Sequence, residues 1–210
     1  MKKTLLLTAV AAFTLFGAGA HAQGAEAGDW QFRLRVLNVS PDEGATITPI
    51  GGDVDIDSGI VPELDISYYF SPAWSLELIL GVTPHDVMAV NTAAGNVDLG
   101  SVTLLPPTLT LQYHFNANGR VRPYVGAGVN FTHFFNEDLP TGGIATSINY
   151  DNSFGLAAQA GIDFDINDVW FFNVDVKKID INTDVTINGT IQADVDIDPW
   201  VFGIGFGRRF

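Results

Sequence analysis

Nine ionisable residues stand at alternate positions of segments that read as β-strands: Arg33, Arg35, Glu63, Asp65, Glu77, Arg122, Asp163, Asp175 and Arg209. Charges of one sign brought together in an interior would be prohibitive, so a mixed set of this kind is expected to pair into a hydrogen-bonded network. Catalysis finds little support beside it. Past the N-terminal leader the histidines are His85, His114 and His133, and none stands at metal-ligand spacing from another. There is no nucleophile elbow and no glycine-rich phosphate loop, and His85 or His133 with a loop acid is the most that a hydrolytic reading could use. No enzyme activity, cofactor or metal site is expected.

The elements that carry these residues alternate with a period of two, which sends successive side chains to opposite faces of a strand. Trp30 to Val39 sets Trp30, Phe32, Leu34 and Val36 against Gln31, Arg33 and Arg35. Ile60 to Phe70 sets Leu64, Ile66, Tyr68 and Phe70 against Glu63, Asp65, Ser67 and Tyr69. The same rhythm runs through Trp74 to Thr83, a segment ending Leu109, Leu111, Tyr113 and Phe115, then Val121 to Phe131, Phe154 to Phe164, a segment from Trp170 to Lys177, and Asp198 to Phe210. One face is apolar on all eight segments and the other holds nearly all the ionisable groups. Turned inward, the apolar rows would overfill an eight-stranded barrel. Turned outward, they suit lipid. The fold expected is all-β, an eight-stranded antiparallel up-and-down transmembrane barrel spanning residues 23–210.

Connections agree with this. Ser71-Pro72-Ala73, Asn116 to Arg120 and Asn167-Asp168 are tight turns, whereas Ser40 to Gly59, Pro84 to Thr103, Thr132 to Asn152 and Asn182 to Ile197 read as long loops. Short periplasmic turns opposite long extracellular loops are the habit of outer-membrane barrels, and Trp30, Phe70, Trp74, Phe115, Trp170 and Phe210 gather near the short turns as an interfacial girdle would. Residues 1–22 read as a cleaved secretory signal: Lys2 and Lys3, an apolar run from Leu5 to Phe16, then Ala20-His21-Ala22. Export with no cysteine leaves stability to hydrogen bonding and packing. The formal net charge is −14, and removal of Lys2 and Lys3 takes it to −16, which excludes nucleic acid as a partner.

Above the charged residues the inward positions turn apolar: Leu37, Val39, Val61, Ile79, Leu104, Ile179 and Ile181. A greasy pocket closed below by charge suits a small hydrophobic solute, which must then leave sideways. Pro62 near the outer end of the second segment, Pro106 and Pro107 near that of the fourth, and Pro84 above the third remove ladder donors at one depth. A lateral window is expected near Pro62, Leu80, Pro106 and Pro107.

Leu105-Pro106-Pro107-Thr108-Leu109, Arg122-Pro123-Tyr124-Val125-Gly126-Ala127-Gly128, Asn130-Phe131-Thr132-His133-Phe134-Phe135 and Asp198-Pro199-Trp200-Val201-Phe202 resemble the outer membrane protein W family, in order and over almost the whole mature chain. The resemblance implies an outer-membrane barrel with a hydrophobic internal channel, implicated in uptake of small hydrophobic molecules. The sequence departs from the family in Thr83-Pro84-His85-Asp86-Val87, which keeps Thr-Pro without basic residues, and in its acidic loops. Asp-Val-Asp-Ile-Asp occurs at 53–57 and again at 194–198. The two strings are expected near one another. Their alternative use is to bind cations, lipopolysaccharide or another partner, although no glycine-punctuated calcium loop is present. Partners expected are therefore outer-membrane lipids and lipopolysaccharide, small hydrophobic solutes, and the barrel-insertion machinery through the C-terminal strand and Phe210.

Overall fold

A computed structural model describes residues 24–210, so the expected leader and its cleavage point lie outside the described residues. In chain order the strands are β1 (Trp30–Ser40), β2 (Gly44–Thr48), β3 (Asp53–Ile56), β4 (Gly59–Ser71), β5 (Trp74–Gly81), β6 (Thr83–Thr92), β7 (Gly95–Leu105) and β8 (Thr108–His114). They continue as β9 (Val121–Asp138), β10 (Ile148–Tyr150), β11 (Ser153–Asp165), β12 (Trp170–Ile179), β13 (Asn182–Ile187), β14 (Ile191–Asp196) and β15 (Trp200–Arg209).

Eight of them form the wall, in the order β1-β4-β5-β8-β9-β11-β12-β15, and β15 returns to β1 with Leu34 opposite Phe206. The backbone bonds Trp30 N–H to Phe210 O and Phe210 N–H to Trp30 O complete that seam at the short-turn end. Closure leaves no open edge, the condition a sheet must meet to stand in lipid. Along β1 the even positions Leu34 and Val36 are more than half exposed, whereas Arg33 and Arg35 are 1% exposed. That polarity is inverted relative to a water-soluble barrel. It makes this an up-and-down transmembrane barrel. Trp30 packs on Tyr68 and Trp74 on Tyr113 near the short-turn end, outward-facing pairs with an apolar body and a polar tip suited to an interface.

The long connections differ from expectation. Residues within 40–59, 84–103, 132–152 and 182–197 largely form strands instead of loops. β9 rises past Phe131 to Asp138, and β3, β6 and β7 continue the wall beside it, while β10-β13-β14-β2 form a second sheet across from it. The physical reason is alternation: Thr83, His85, Val87 and Ala89 are buried while Pro84, Asp86 and Met88 are exposed. Outward acids and Gly-Asn turns disguised these strands, because their outer face meets water and not lipid. The two extracellular sheets enclose one apolar cluster that includes Ile47, Val54, Ile56, Phe134, Val185 and Val195.

Candidate functional site

The lumen is stacked in tiers because inward residues on each strand recur every ~6.8 Å. Phe171 lies in the lowest tier, fully buried, with the Arg33, Arg122 and Arg209 guanidinium carbons 5.6, 5.7 and 5.9 Å from its ring centre. Arg122 is paired with Asp165, and Arg209 bridges Asp165 at 3.4 Å and donates to Gly24 O at 2.7 Å. Gly207, inward on β15, makes room for Phe171, whose ring a side chain there would overlap. Gly203 borders Arg35 and Leu37, whereas Gly207 serves an aromatic ring.

Above it Arg33 spans Glu77 (2.8 Å) and Asp163 (3.2 Å), and Arg35 lies within 3.4 Å of Asp65, Asp175, Glu77 and Glu63. The second oxygen of Glu77 accepts from Gln112 and Gln159, each at 2.7 Å. Tyr124 donates to Asp175 at 2.7 Å. Lys177 joins the set, 2.9 Å from Glu63 and 2.7 Å from Asp175. Its alternation on β12 put it on the inward face, yet the charged set drawn from the sequence omitted it. All nine residues singled out there are at most 4% exposed. A packed ion network of this kind occupies the lower lumen, between the apolar positions and the short-turn end.

Four strands then change character at one level: Arg35 gives way to Leu37 on β1, Glu63 to Val61 on β4, Glu77 to Ile79 on β5 and Lys177 to Ile179 on β12. A cavity of about 40 Å³ begins there, lined by Leu37, Val39, Ile79, Leu104, Ile179 and Ile181 among others, with Glu63 at its charged end. Val61 is buried in the same apolar cluster. A second cavity of about 30 Å³ lies in the extracellular extension among Ile47, Val54, Val102, Phe134 and Val185. His85, Leu104 and Ile197 border both cavities, so the two are consecutive parts of one apolar shaft. Tyr150, half-buried beside Phe134, has its hydroxyl held above the usual tyrosine range by burial and by nearby Glu137, so this wall stays uncharged. A single water takes roughly 10–15 Å³ measured this way. Both cavities are therefore narrow, with room for a few waters each.

The wall beside the lower cavity lacks continuous pairing. The β5–β8 ladder ends at Ile79 opposite Thr108, and pairing resumes between β6 and β7 at Thr83 opposite Leu104. On the other side the β4–β5 ladder ends at Glu63 opposite Gly81, and β3–β6 begins at Ile56 opposite Val87. Pro62 is exposed, and Leu80, Pro106 and Pro107 are half-buried, around this gap. The Pro106 and Pro107 carbonyls accept from Asn130 on β9, so that seam remains tied while the one facing residues 80–82 carries no ladder pair. Gly81 and Pro106 border the cavity itself.

The whole of residues 26–210 matches the OmpW family model. The chain belongs to the OmpW family. A crystal structure of the outer membrane protein OprG from Pseudomonas aeruginosa superposes with a TM-score of 0.82 at 34% identity, covering 90% of this chain and 99% of that one. The outer-membrane protein y4mB of Sinorhizobium fredii is 40% identical over 86% of this chain and 80% of its own length. The dibenzothiophene metabolism operon protein PahQ of Pseudomonas aeruginosa is 30% identical over 89% and 90%. This OmpW-family chain is an outer-membrane barrel.

Two features distinguish its surface. No lysine or arginine occurs between Arg35 and Arg120, between Arg122 and Lys177, or between Lys178 and Arg208. The extracellular extension is consequently acidic, with Lys178 at its base bonded to Asp42 and Asp198 O. The two Asp-Val-Asp-Ile-Asp strings fall on different sheets, at β3 and β14, with β2 between them. Their outward carboxylates, Asp53, Asp55, Asp194 and Asp196, lie on the solvent face, and Asp53 also caps Ala45 N–H at 2.7 Å. His114 is spent on Tyr69 and Ser75 in the lower lumen, and His133 lies outside on Asn152.

Proposed function

We propose that this barrel is a passive conduit for small uncharged hydrophobic molecules, which enter the extracellular shaft and leave sideways into the membrane through the gap at Pro62, Leu80, Pro106 and Pro107. The observation that carries the reading is the joining of an apolar shaft to unpaired wall above a charged floor. Desolvating an ion in that shaft would cost far more than the passage of an alkyl or aryl group. The name of PahQ, a dibenzothiophene metabolism operon protein, agrees with an apolar aromatic cargo. No energy source is implied, since the solute moves down its gradient.

Pro106→Val with Pro107→Val supplies the missing amides and invites the β5–β8 ladder to zip upward. Naphthalene uptake by intact cells expressing this variant is expected to fall to the rate of cells without the barrel, while binding by the purified protein persists. Unchanged uptake would sink the lateral route.

The acidic extension adds a charge filter. Uptake of 2-naphthoate through the barrel is expected to be slower than that of 2-methylnaphthalene, and the disparity should narrow as salt rises, because surface repulsion is screened within about 10 Å at 0.1 M. A ratio indifferent to ionic strength would remove the extension from selectivity. Lipopolysaccharide phosphates meet the same repulsion, so contact between them and these acids is proposed to require bridging divalent cations.

A further inference from the structure

Three residues border both cavities, and His85 is the polar one among them. It is 3% exposed, on β6 between the upper and lower parts of the shaft. On one side β6 is paired there, His85 opposite Val102, while on the other it lies short of the β3–β6 ladder, where a methyl group added to Gly59 would stand 3.8 Å from its Cε1. The imidazole thus occupies a junction: extension above, pocket below, gap beside.

Its hydrogen bonding is half satisfied. Nδ1 is 2.7 Å from Asp57 O, and a carbonyl only accepts, so Nδ1 carries the proton of that bond. In the neutral ring Nε2 is then left with a free lone pair. No described residue bonds to Nε2. The charged groups around the ring are the exposed Asp57 carboxylate, 3.7 Å from Nδ1, and Glu63 across the lower cavity, itself engaged by Lys177. His85 lines both cavities, so a donor on a passing solute could bond to that lone pair.

We propose that His85 Nε2 is a specificity contact, accepting a hydrogen bond from the single O–H or N–H of an otherwise apolar solute: a phenol, an aryl amine or a medium-chain alcohol. The proposal rests on the conduit reading above and names its substrate class. A carboxylate would bring an acceptor to an acceptor, beside Glu63. An ordinary hydrocarbon would pass without the contact.

The test uses the full mature barrel in nanodiscs and three probes of nearly equal shape: 2-naphthol, 2-methylnaphthalene and 2-methoxynaphthalene, each corrected for partition into protein-free discs. The wild-type protein is expected to bind 2-naphthol about 2- to 10-fold more tightly than 2-methylnaphthalene, the span of one net hydrogen bond. His85→Leu should bring that ratio to about one. If His85→Leu does not fold, His85→Phe retains a planar ring without the acceptor, and the same collapse is expected. Equal binding by the wild-type protein, a ratio that survives the substitution, or preference for 2-methoxynaphthalene overturns the proposal while leaving the conduit reading intact. Binding of none of the three overturns both.

Discussion

Arg35→Met is expected to prevent the barrel from reaching its native state, or to lower its stability by about 3–5 kcal/mol, the cost of removing one partner from a buried ion network. Four carboxylates lie within 3.4 Å of that guanidinium. Three of them have another cation: Glu63 and Asp175 have Lys177, and Glu77 has Arg33. Asp65, 2.5 Å from Arg35 and fully buried, has no second ion pair among the described residues. It is the group that the substitution strands. Urea unfolding in detergent micelles, followed by tryptophan fluorescence and by the mobility of unheated samples on gels, reads the loss. Adding Asp65→Asn removes the stranded charge and should recover a large part of it. If the single and double variants are equally unstable, Arg35 acts through packing and the network matters less than its geometry suggests.

The same network shows how far residue types alone could carry the reading. Alternation placed Arg33, Arg35, Glu63, Asp65 and Glu77 on the inner face, because lipid outside a barrel forces its polar residues inward. Partners were beyond reach: Arg33 and Asp163 are 130 positions apart, and only closure of the barrel brings them to 3.2 Å. Lys177 was legible by parity, but a lone lysine followed by Lys178 gave no sign of which one was engaged by Glu63. In the extracellular extension the signal weakened for a different reason. Asp53 to Ile56 reads as an acidic loop, yet Val54 and Ile56 point into the apolar cluster and the acids face water. Four residues offer too short a stretch for a period of two to declare itself. His85 was visible as a residue and not as a site, because its importance comes from two cavities that meet at one side chain.

Leu104→Trp is expected to stop uptake of every hydrophobic solute, bringing naphthalene entry to the rate of cells lacking the barrel. Leu104 is 4% exposed and borders both cavities, which have volumes of about 30 and 40 Å³, so an indole there closes the shaft at its join. Overpacking costs about 1–3 kcal/mol, which a closed barrel held by the charged network below should survive with unchanged gel mobility. Leu104→Ala works in the other direction. It sacrifices about 2–5 kcal/mol but widens the narrow point, and entry of a three-ring solute should then gain more than entry of a linear alkane. A pore that carried solutes outside this shaft, along the acidic surface or between protomers, would respond to neither change. Opposite effects of tryptophan and alanine at one buried position, with folding intact in both, would tie transport to the lumen. Equal uptake by both variants would move it elsewhere.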